Sequence, residues 1–225
     1  MLLLAVDTSG RAGSLALARG NDSGLELIEQ APLSSRSYSA EIVPVLSGLL
    51  ARHGYTKFDL EAFAVVSGPG SFTGLRVGLA AVKGLAEILG RPIAAVSMLE
   101  AIAAQAGADG GVIAAMDAGR RELYVGEYEI RSACPHCQRE RLLNEAEFKV
   151  LVEQKPSSEL ITTDLRVIEI VPQHLAAKQV EWPGADVIAR LGWAKLQAGQ
   201  QVSAELLEAN YIRRSDAEIH FHPPA

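Results

Sequence analysis

The strongest constraint on the fold is a glycine-rich segment, Ser67–Gly78, which directly follows an apolar run at residues 62–66. The run is short and continuous, as in a buried strand, and the residues after the segment have helical spacing. Gly68 and Gly70 permit positive φ angles and close backbone approach, and Pro69 fixes the turn between them. The sequence therefore predicts a strand, a tight turn and a helix in immediate succession.

The helix after this turn is predicted over about residues 73–89, and Ser71 or Thr73 can cap it. Gly74 and Gly78 leave one side without bulky side chains, so another backbone, from the same chain or from a second protein, can approach closely. The turn could hold an anion at the helix N-terminus. However, it lacks the lysine of a P-loop and the spacing of a dinucleotide-binding turn. We therefore expect its glycines and proline to be structural.

A repeated hairpin pattern divides the chain into two halves. Asp7 follows an apolar run at residues 2–6, and Asp117 follows a similar run in the second half. In both halves a turn and a second apolar strand come next. The repeat predicts two related α/β lobes, residues 1–108 and 109–225, with the last helix able to pack back on the first lobe.

The remaining elements are predicted from periodicity and breakers. Amphipathic spacing indicates a helix over about residues 39–53. The second half is less regular after residue 128. It is predicted to contain a polar loop that enters a short helix at 132–147, short strands at 159–162 and 167–171, a helix at 186–197, and a last element at 204–208.

Charge and apolar patterning restrict the roles open to the chain. A formal net charge of −6 at pH 7 argues against non-specific binding of phosphate backbones, which needs clustered Lys and Arg. Any nucleic acid would be met through a partner. No apolar run approaches the roughly 20 residues of a membrane helix, and the opening run at 1–6 lacks the basic region of a signal peptide. With only two cysteines, the chain is expected in the cytoplasm.

Two short motifs are candidates for chemistry. Asp7, Thr8 and Ser9 form a candidate vestigial phosphate loop, because bends rich in hydroxyls present N–H groups to phosphates. The equivalent bend after Asp117 has no hydroxyl, which argues against nucleotide binding by this chain alone. The sequence contains neither a Gly-x-Ser-x-Gly nucleophile elbow nor a His-Glu-x-x-His helix.

The two cysteines, Cys134 and Cys137, have the spacing of half a zinc site or of a redox pair. The second half of a zinc site is missing, and the pair does not open a helix after a strand, as in a thioredoxin-like motif. A surface loop without chemistry is the favoured interpretation, and the sequence assigns the pair no role.

Several stretches resemble the bacterial TsaB proteins, which are non-catalytic subunits of the complex that makes threonylcarbamoyladenosine in tRNA. The most specific is Gly68–Gly78 with its continuation at 83–86, and the others are 4–9, 116–124 and 211–214. The resemblance implies a duplicated, ribonuclease-H-like α/β fold of the actin and hexokinase (ASKHA) class. It also implies kinship with TsaD, the catalytic subunit that transfers the threonylcarbamoyl group.

The comparison with TsaD implies that a metal site has been lost. TsaD carries a His-x-x-x-His helix after the equivalent strand, and here Met98 and Ile102 stand at those two positions. A thioether is a soft, weak ligand and Ile is none, so the pair cannot hold a hard divalent cation. Glu100 is expected to be a solvated surface charge. We expect no catalytic residue, metal or cofactor in this chain.

The resemblance implies a scaffold that binds a TsaD-like catalytic subunit through the helices at 39–53 and 73–89. The pair would recruit a TsaE-like ATPase and meet tRNA only indirectly, and the same surface could form a homodimer when the partner is absent. The residues expected to face the partner are Tyr38, Glu41, Val45, Arg76, Leu79, Ala80 and Lys83.

Two other functions remain open at this point. One is an enzyme of the same fold class, either a small-molecule phosphotransferase or a glycoprotease-like peptidase. The other is a homodimeric binding module with no catalytic partner.

Overall fold

The computed structural model describes residues 1–10, 12–34 and 37–213. None of the helices in these ranges is both long enough and apolar enough to cross a membrane. The closing segment that resembles the TsaB proteins is described up to Arg213, and Arg214 lies outside the described residues.

The first half forms a five-stranded sheet with three helices. The chain runs through a three-stranded antiparallel meander and then alternates helix and strand. Its elements are β1 (Leu2–Asp7), β2 (Gly13–Asn21), β3 (Gly24–Leu33), α1 (Tyr38–Arg52), β4 (Ala62–Gly68), α2 (Phe72–Leu89), β5 (Ile93–Ser97) and α3 (Met98–Ala103).

The second half repeats this order of elements. A meander again comes first, followed by alternating helices and strands. These elements are β6 (Gly110–Gly119), β7 (Glu122–Arg131), β8 (Cys134–Asn144), α4 (Glu145–Gln154), β9 (Glu159–Thr162), α5 (Leu165–Ile170), β10 (Ala177–Gln179) and α6 (Ala185–Gln197).

The two sheets have the same topology. Their strand orders are β3-β2-β1-β4-β5 and β8-β7-β6-β9-β10. In each sheet the first strand pairs antiparallel with the second and parallel with the fourth, with Leu4 opposite Leu17 and Phe63 in the first sheet. The equivalent pairings hold for β6 with β7 and with β9. The predicted duplicated ribonuclease-H-like α/β fold is therefore confirmed.

The central strands of the first sheet are covered on both faces. All residues of β1 and β4 are buried, as expected for continuous apolar runs in parallel strands. Helix α2 packs on one face, and α6 packs across β1, β2, β4 and β5 on the other. The close fit of α6 depends on Gly192, where a Cβ would collide with Ala64.

The helices α3 and α6 are exchanged between the two halves. Helix α3 comes from the first half but packs against β6 and β7 of the second sheet, whereas α6 comes from the second half and packs against the first sheet. Val112, Ala114 and Met116 therefore join the main core. Ile113 and Ala115, on the opposite face of β6, belong to a smaller core with α4. The two sheets are thus joined through a shared layer of helices.

The structure confirms the helices predicted at 39–53, 73–89 and 186–197 and the strand at 159–162, and it corrects several other predictions. Most of the segment at 132–147, predicted as a polar loop that enters a short helix, is the edge strand β8, and the helix α4 begins at Glu145 and runs on to Gln154. Strand β3 is a second edge strand, which the sequence did not predict. Both carry polar residues because one side of each faces solvent. The predicted strand at 167–171 lies in and after α5, since short apolar runs suit either structure. Residues 204–206 form a turn rather than a regular element.

Glu100 is buried, so the prediction of a solvated surface charge is wrong. Its carboxylate lies between α3 and α6, and Lys195 Nζ is 3.1 Å from Oε2. Burial raises the pKa of the Glu100 carboxyl, while Lys195 and the Ser97 N–H partly offset this shift. The misreading arose because α3 is covered by the other half of the chain, which local sequence does not reveal.

We predict that Lys195→Met lowers the free energy of unfolding by about 1–3 kcal/mol at pH 7, because the buried carboxylate loses its partner. A raised folded-state pKa means that stability falls as pH rises through it. The loss should therefore shrink as pH falls towards 4, where the carboxyl is protonated. Urea unfolding at several pH values measures this. In a Glu100→Gln background, the cost of Lys195→Met should be the same at every pH, because no carboxyl remains at position 100 to titrate. An equally pH-dependent cost in both backgrounds would contradict the assignment.

Candidate functional site

The glycine-rich segment forms the turn between β4 and α2. Gly68 has a φ of +134°, in the region that favours glycine, and the Gly68–Pro69 peptide is cis. A Cβ at Gly68 would lie 2.7 Å from the Asn210 carbonyl oxygen. Ser71, one of the two predicted caps, accepts a hydrogen bond from the Gly74 N–H at 3.3 Å. The turn therefore needs glycine for both conformation and space.

The small side of α2 packs against the turn that follows β1. A Cβ on Gly70 would lie 2.7 Å from the Ser9 carbonyl oxygen, and Cβ atoms on Gly74 and Gly78 would collide with the carbonyl oxygen and hydroxyl of Thr8. The Thr8 hydroxyl donates to the Gly74 carbonyl at 2.7 Å, and the Ser71 N–H donates to the Ser9 carbonyl at 2.7 Å. The backbone that approaches these glycines thus belongs to the same chain.

The side chain of Asp7 holds the same turn from inside. Its Oδ1 accepts hydrogen bonds from the Ser9 N–H at 2.8 Å and from the Ser9 hydroxyl at 2.6 Å. Its Oδ2 accepts one from Trp182 Nε1 at 3.2 Å. Burial raises the pKa of the Asp7 carboxyl, although these hydrogen bonds oppose the shift. The hydroxyls of the candidate phosphate loop, on Thr8 and Ser9, are therefore engaged in internal hydrogen bonds.

A cleft of about 1,040 Å³ lies beside this turn, between the two sheets. On the opposite wall, Asp117 accepts a hydrogen bond from the Gly119 N–H at 2.9 Å and lies 2.5 Å from Arg166 Nη1. The Asp117 N–H donates to Asp164 Oδ2 at 2.9 Å. Asp7 and Asp117, which the sequence placed at equivalent positions, thus each have partners within the chain.

Helix α3 carries Met98 and Ile102, the residues that stand where the resemblance places the histidines of TsaD. Both side chains are fully buried, under the second sheet against which α3 packs. Within the described ranges, no group of three or more His, Cys, Asp or Glu side chains is arranged to hold a metal ion.

Cys134 and Cys137 lie in strand β8, opposite Arg131 and Tyr128, so the prediction of a surface loop is wrong. Three steps along an extended strand separate Cα atoms by roughly 10 Å, whereas a disulfide needs less than about 7 Å. Burial raises the pKa of the Cys137 thiol, and Glu140 adds to the shift, which disfavours the reactive thiolate. The strand therefore argues against both the redox pair and the half zinc site.

The outer face of α1 and α2 exposes apolar side chains. Val43 on α1 is 65% exposed and Ile88 on α2 is 77% exposed. A groove of about 460 Å³ runs between the helices, lined by Ile42, Val43, Leu46, Leu50 and Leu85 with Tyr55 at one end. We call this surface the α1–α2 face.

The predicted partner residues differ in exposure, and the four on α2 lie on the other flank of that helix from the groove. Arg76 and Ala80 are exposed, and Glu41, Val45 and Lys83 are half-buried. The expectation that Tyr38 and Leu79 face outward is wrong, because they are only 8% and 7% exposed. The Tyr38 hydroxyl donates inward to the Gly10 carbonyl at 2.8 Å.

Comparison with known proteins places the chain in a family. Residues 30–150, more than half of the chain, match the family model described as TsaD: tRNA N6-adenosine threonylcarbamoyltransferase. A Bacillus subtilis protein named tRNA threonylcarbamoyladenosine biosynthesis protein TsaB is 35% identical over 133 residues, and its Escherichia coli namesake is 36% identical over 132. The chain belongs to the TsaB (YeaZ-like) family.

The likeness to this family extends over the fold. A Pseudomonas aeruginosa structure described as YeaZ superposes with a TM-score of 0.74 at 28% identity, covering 92% of this chain and 99% of that one. A second structure from that organism, described as an uncharacterized protein with similarity to peptidase YEAZ, gives 0.78 at 28% identity. The sequence matches to the TsaB proteins are shorter. The B. subtilis match covers 59% of this chain and 57% of that protein, and the E. coli match covers 57% and 55%.

The sequence did not point to two aromatic residues, one that lines the cleft and one that packs on α2. Trp182, which binds Asp7, lies in a stretch without periodicity, so no local pattern pointed to it. The ring of Tyr211 packs on Phe72 with centroids 5.2 Å apart. Its only signal was that Tyr211 lies in a segment resembling the TsaB proteins.

We predict that Gly74→Ala lowers the free energy of unfolding by about 1–3 kcal/mol, because its Cβ would collide with the Thr8 carbonyl. Gly84→Ala, in the same helix, is the matched control. A Cβ there meets nothing within 4 Å, so alanine should leave stability unchanged or raise it by about 0.5–1 kcal/mol. Chemical denaturation measures both, and equal effects would contradict the close packing of α2 on the Thr8 turn.

Proposed function

We propose that this chain is a non-catalytic subunit for tRNA threonylcarbamoyladenosine biosynthesis, which binds and stabilises a TsaD-like threonylcarbamoyltransferase subunit through the α1–α2 face. The observation that carries the proposal is the exposed apolar surface of two neighbouring helices, with Val43 65% and Ile88 77% exposed. Large apolar side chains clustered around a groove are typical of protein–protein interfaces. The names of the B. subtilis and E. coli relatives indicate the pathway.

The kinship with the TsaD model supports a partner of related fold. Two chains with the same arrangement of helices can pair the equivalent faces around a local two-fold axis, as identical subunits do in a symmetric dimer. The same surface would pair with a second copy of this chain when the catalytic subunit is absent. The net charge of −6 supports only indirect contact with tRNA, and a TsaE-like ATPase would join the assembled pair.

The cleft supports a non-catalytic role. Its candidate phosphate-binding groups on Thr8 and Ser9 already donate to Gly74 and Asp7, so phosphate binding would have to replace bonds within the chain. The positions of Met98 and Ile102 offer no ligand for a hard cation. A peptidase or a phosphotransferase would need groups that these residues do not supply.

We expect one-to-one association when the chain is mixed with the TsaD-like subunit of the same organism. Size-exclusion chromatography with light scattering gives the masses of the 24.0 kDa chain, of the partner and of the mixture. The proposal predicts that any homodimer of this chain dissociates as the heterodimer forms. A homodimer that persists beside the unbound catalytic subunit would contradict the proposal and favour the homodimeric binding module.

We predict that Val43→Glu weakens this association at least about tenfold, because an apolar interface would then bury an unpaired carboxylate. Val150→Glu is the matched control, since Val150 is 51% exposed on α4, far along the chain in the other half. Calorimetric titration with the partner measures both affinities. Equal affinities for the two variants would show that the α1–α2 face is not the contact surface.

We also expect no saturable heat when ATP and Mg²⁺ are titrated into the isolated chain. The control is the same titration into the assembled complex with its ATPase. Tight binding by this chain alone would overturn the non-catalytic role and favour the phosphotransferase alternative.

A further inference from the structure

A second groove, of about 470 Å³, lies on the other side of α2. One wall is α2, with Arg76, Ala80 and Lys83. The other wall is the last described segment, residues 207–213, which we call the C-terminal strap. This groove and the α1–α2 face are both built on α2, although they share no lining residue.

The C-terminal strap is held in place on both halves of the molecule. The Asn210 N–H donates to the Ser67 carbonyl at 2.8 Å, at the end of β4. The Asn210 side-chain amide donates to Glu140 Oε2 at 2.8 Å, on β8. Arg213 Nη1 donates to the Ala118 carbonyl at 2.7 Å, and Leu207 is only 1% exposed. The strap is therefore a firmly anchored wall rather than a loose tail.

Arg76 is fixed in orientation at the mouth of this groove. Its guanidinium lies 3.7 Å from the centroid of the Phe72 ring, and its Nε donates to the Tyr211 hydroxyl at 3.1 Å. Tyr211 in turn packs on Phe72. These contacts restrict the side chain before any partner arrives, which lowers the entropy lost on binding.

The groove is lined by two cations, Arg76 and Lys83, and by one carboxylate, Glu208 of the C-terminal strap, so its net formal charge is positive. Arg76 and Lys83 lie seven residues apart on one face of α2, or about two turns, and neither has a carboxylate within ion-pair distance among the described residues. Leu79, Ala80 and Leu207 supply an apolar floor between them. An apolar slot with a net positive charge and an oriented guanidinium at its mouth suits a peptide segment that carries carboxylates beside apolar side chains.

We propose that the groove between α2 and the C-terminal strap binds a carboxylate-bearing segment of the TsaD-like partner, and that Tyr211 positions Arg76 for this contact. The proposal rests on the proposed function and extends it, since it assigns part of the recognition to the strap and gives the chemistry of the partner segment. The net positive charge of the groove and its position on the helix that also carries the α1–α2 face favour this occupant.

The first test is the affinity of the Arg76→Gln/Lys83→Gln variant for the TsaD-like subunit, measured by calorimetry at low and high salt. We expect about a tenfold loss at low salt and a weaker salt dependence than in the unsubstituted chain, because two ion pairs are missing. Arg91→Gln/Lys149→Gln removes the same charge from exposed sites outside the groove and should leave the affinity unchanged. Equal losses in the two double variants would overturn the proposal.

The second test isolates the role of Tyr211. Tyr211→Phe keeps the ring on Phe72 and removes only the hydroxyl that accepts from Arg76. It should weaken binding severalfold in the normal chain but have no effect when residue 76 is already Gln, because the two residues act through one contact. Equal effects in the two backgrounds would show that Tyr211 does not act through Arg76.

Two further outcomes separate this inference from the function on which it rests. Normal binding by every groove variant would overturn the groove but leave the α1–α2 face as the contact surface. Absence of binding by the unsubstituted chain would overturn both proposals. Removal of residues 214–225, which include Asp216 and Glu218, should leave the affinity unchanged. Tighter binding after this truncation would show that the chain's own acidic tail occupies the groove.

Discussion

The close contact between the turn after β1 and the first turns of α2 determines where the functional surfaces lie. Gly70, Gly74 and Gly78 have no room for a Cβ there, and the Thr8 hydroxyl and Ser71 N–H each close a short hydrogen bond across the contact. The contact fixes α2 on the first sheet, with its other sides turned outward. Both proposed binding surfaces are therefore consequences of one internal packing arrangement.

The same contact distinguishes the cleft from the outer faces. In the cleft, the hydroxyls of Thr8 and Ser9 donate within the chain, and Asp117 is paired with Arg166. On the outer faces, Val43 and Ile88 are exposed, and Arg76 and Lys83 have no described carboxylate partner. Helices α1 and α2 thus expose both apolar side chains and cations that have no ion-pair partner among the described residues. A subunit that acts by binding a partner needs such an exposed apolar and charged surface.

The sequence predicted those parts of the fold that depend on residues close together in the chain. The glycine turn, the amphipathic helices and the duplicated hairpin follow from conformational freedom and periodicity. The exchange of α3 and α6 between the halves does not, because α6 packs on strands that lie far from it in the chain. Glu100 was misread for this reason, since its partner Lys195 belongs to α6. The edge strands β3 and β8 lack the apolar pattern of buried strands. At the candidate site, Arg76, Ala80 and Lys83 could be placed from helical spacing, whereas Tyr38 and Leu79 face inward because neighbouring loops and the C-terminal strap cover them.

The central claim is that the outer side of α1 and α2, and not the cleft, meets the TsaD-like subunit. Site-specific photo-crosslinking tests this most directly, with a photoreactive amino acid placed at Val43, at Ile88 or at Ala118 in the cleft. The account predicts crosslinks to the catalytic subunit from positions 43 and 88 and none from 118, with the attached protein identified by mass spectrometry. Crosslinks from position 118 alone would contradict it.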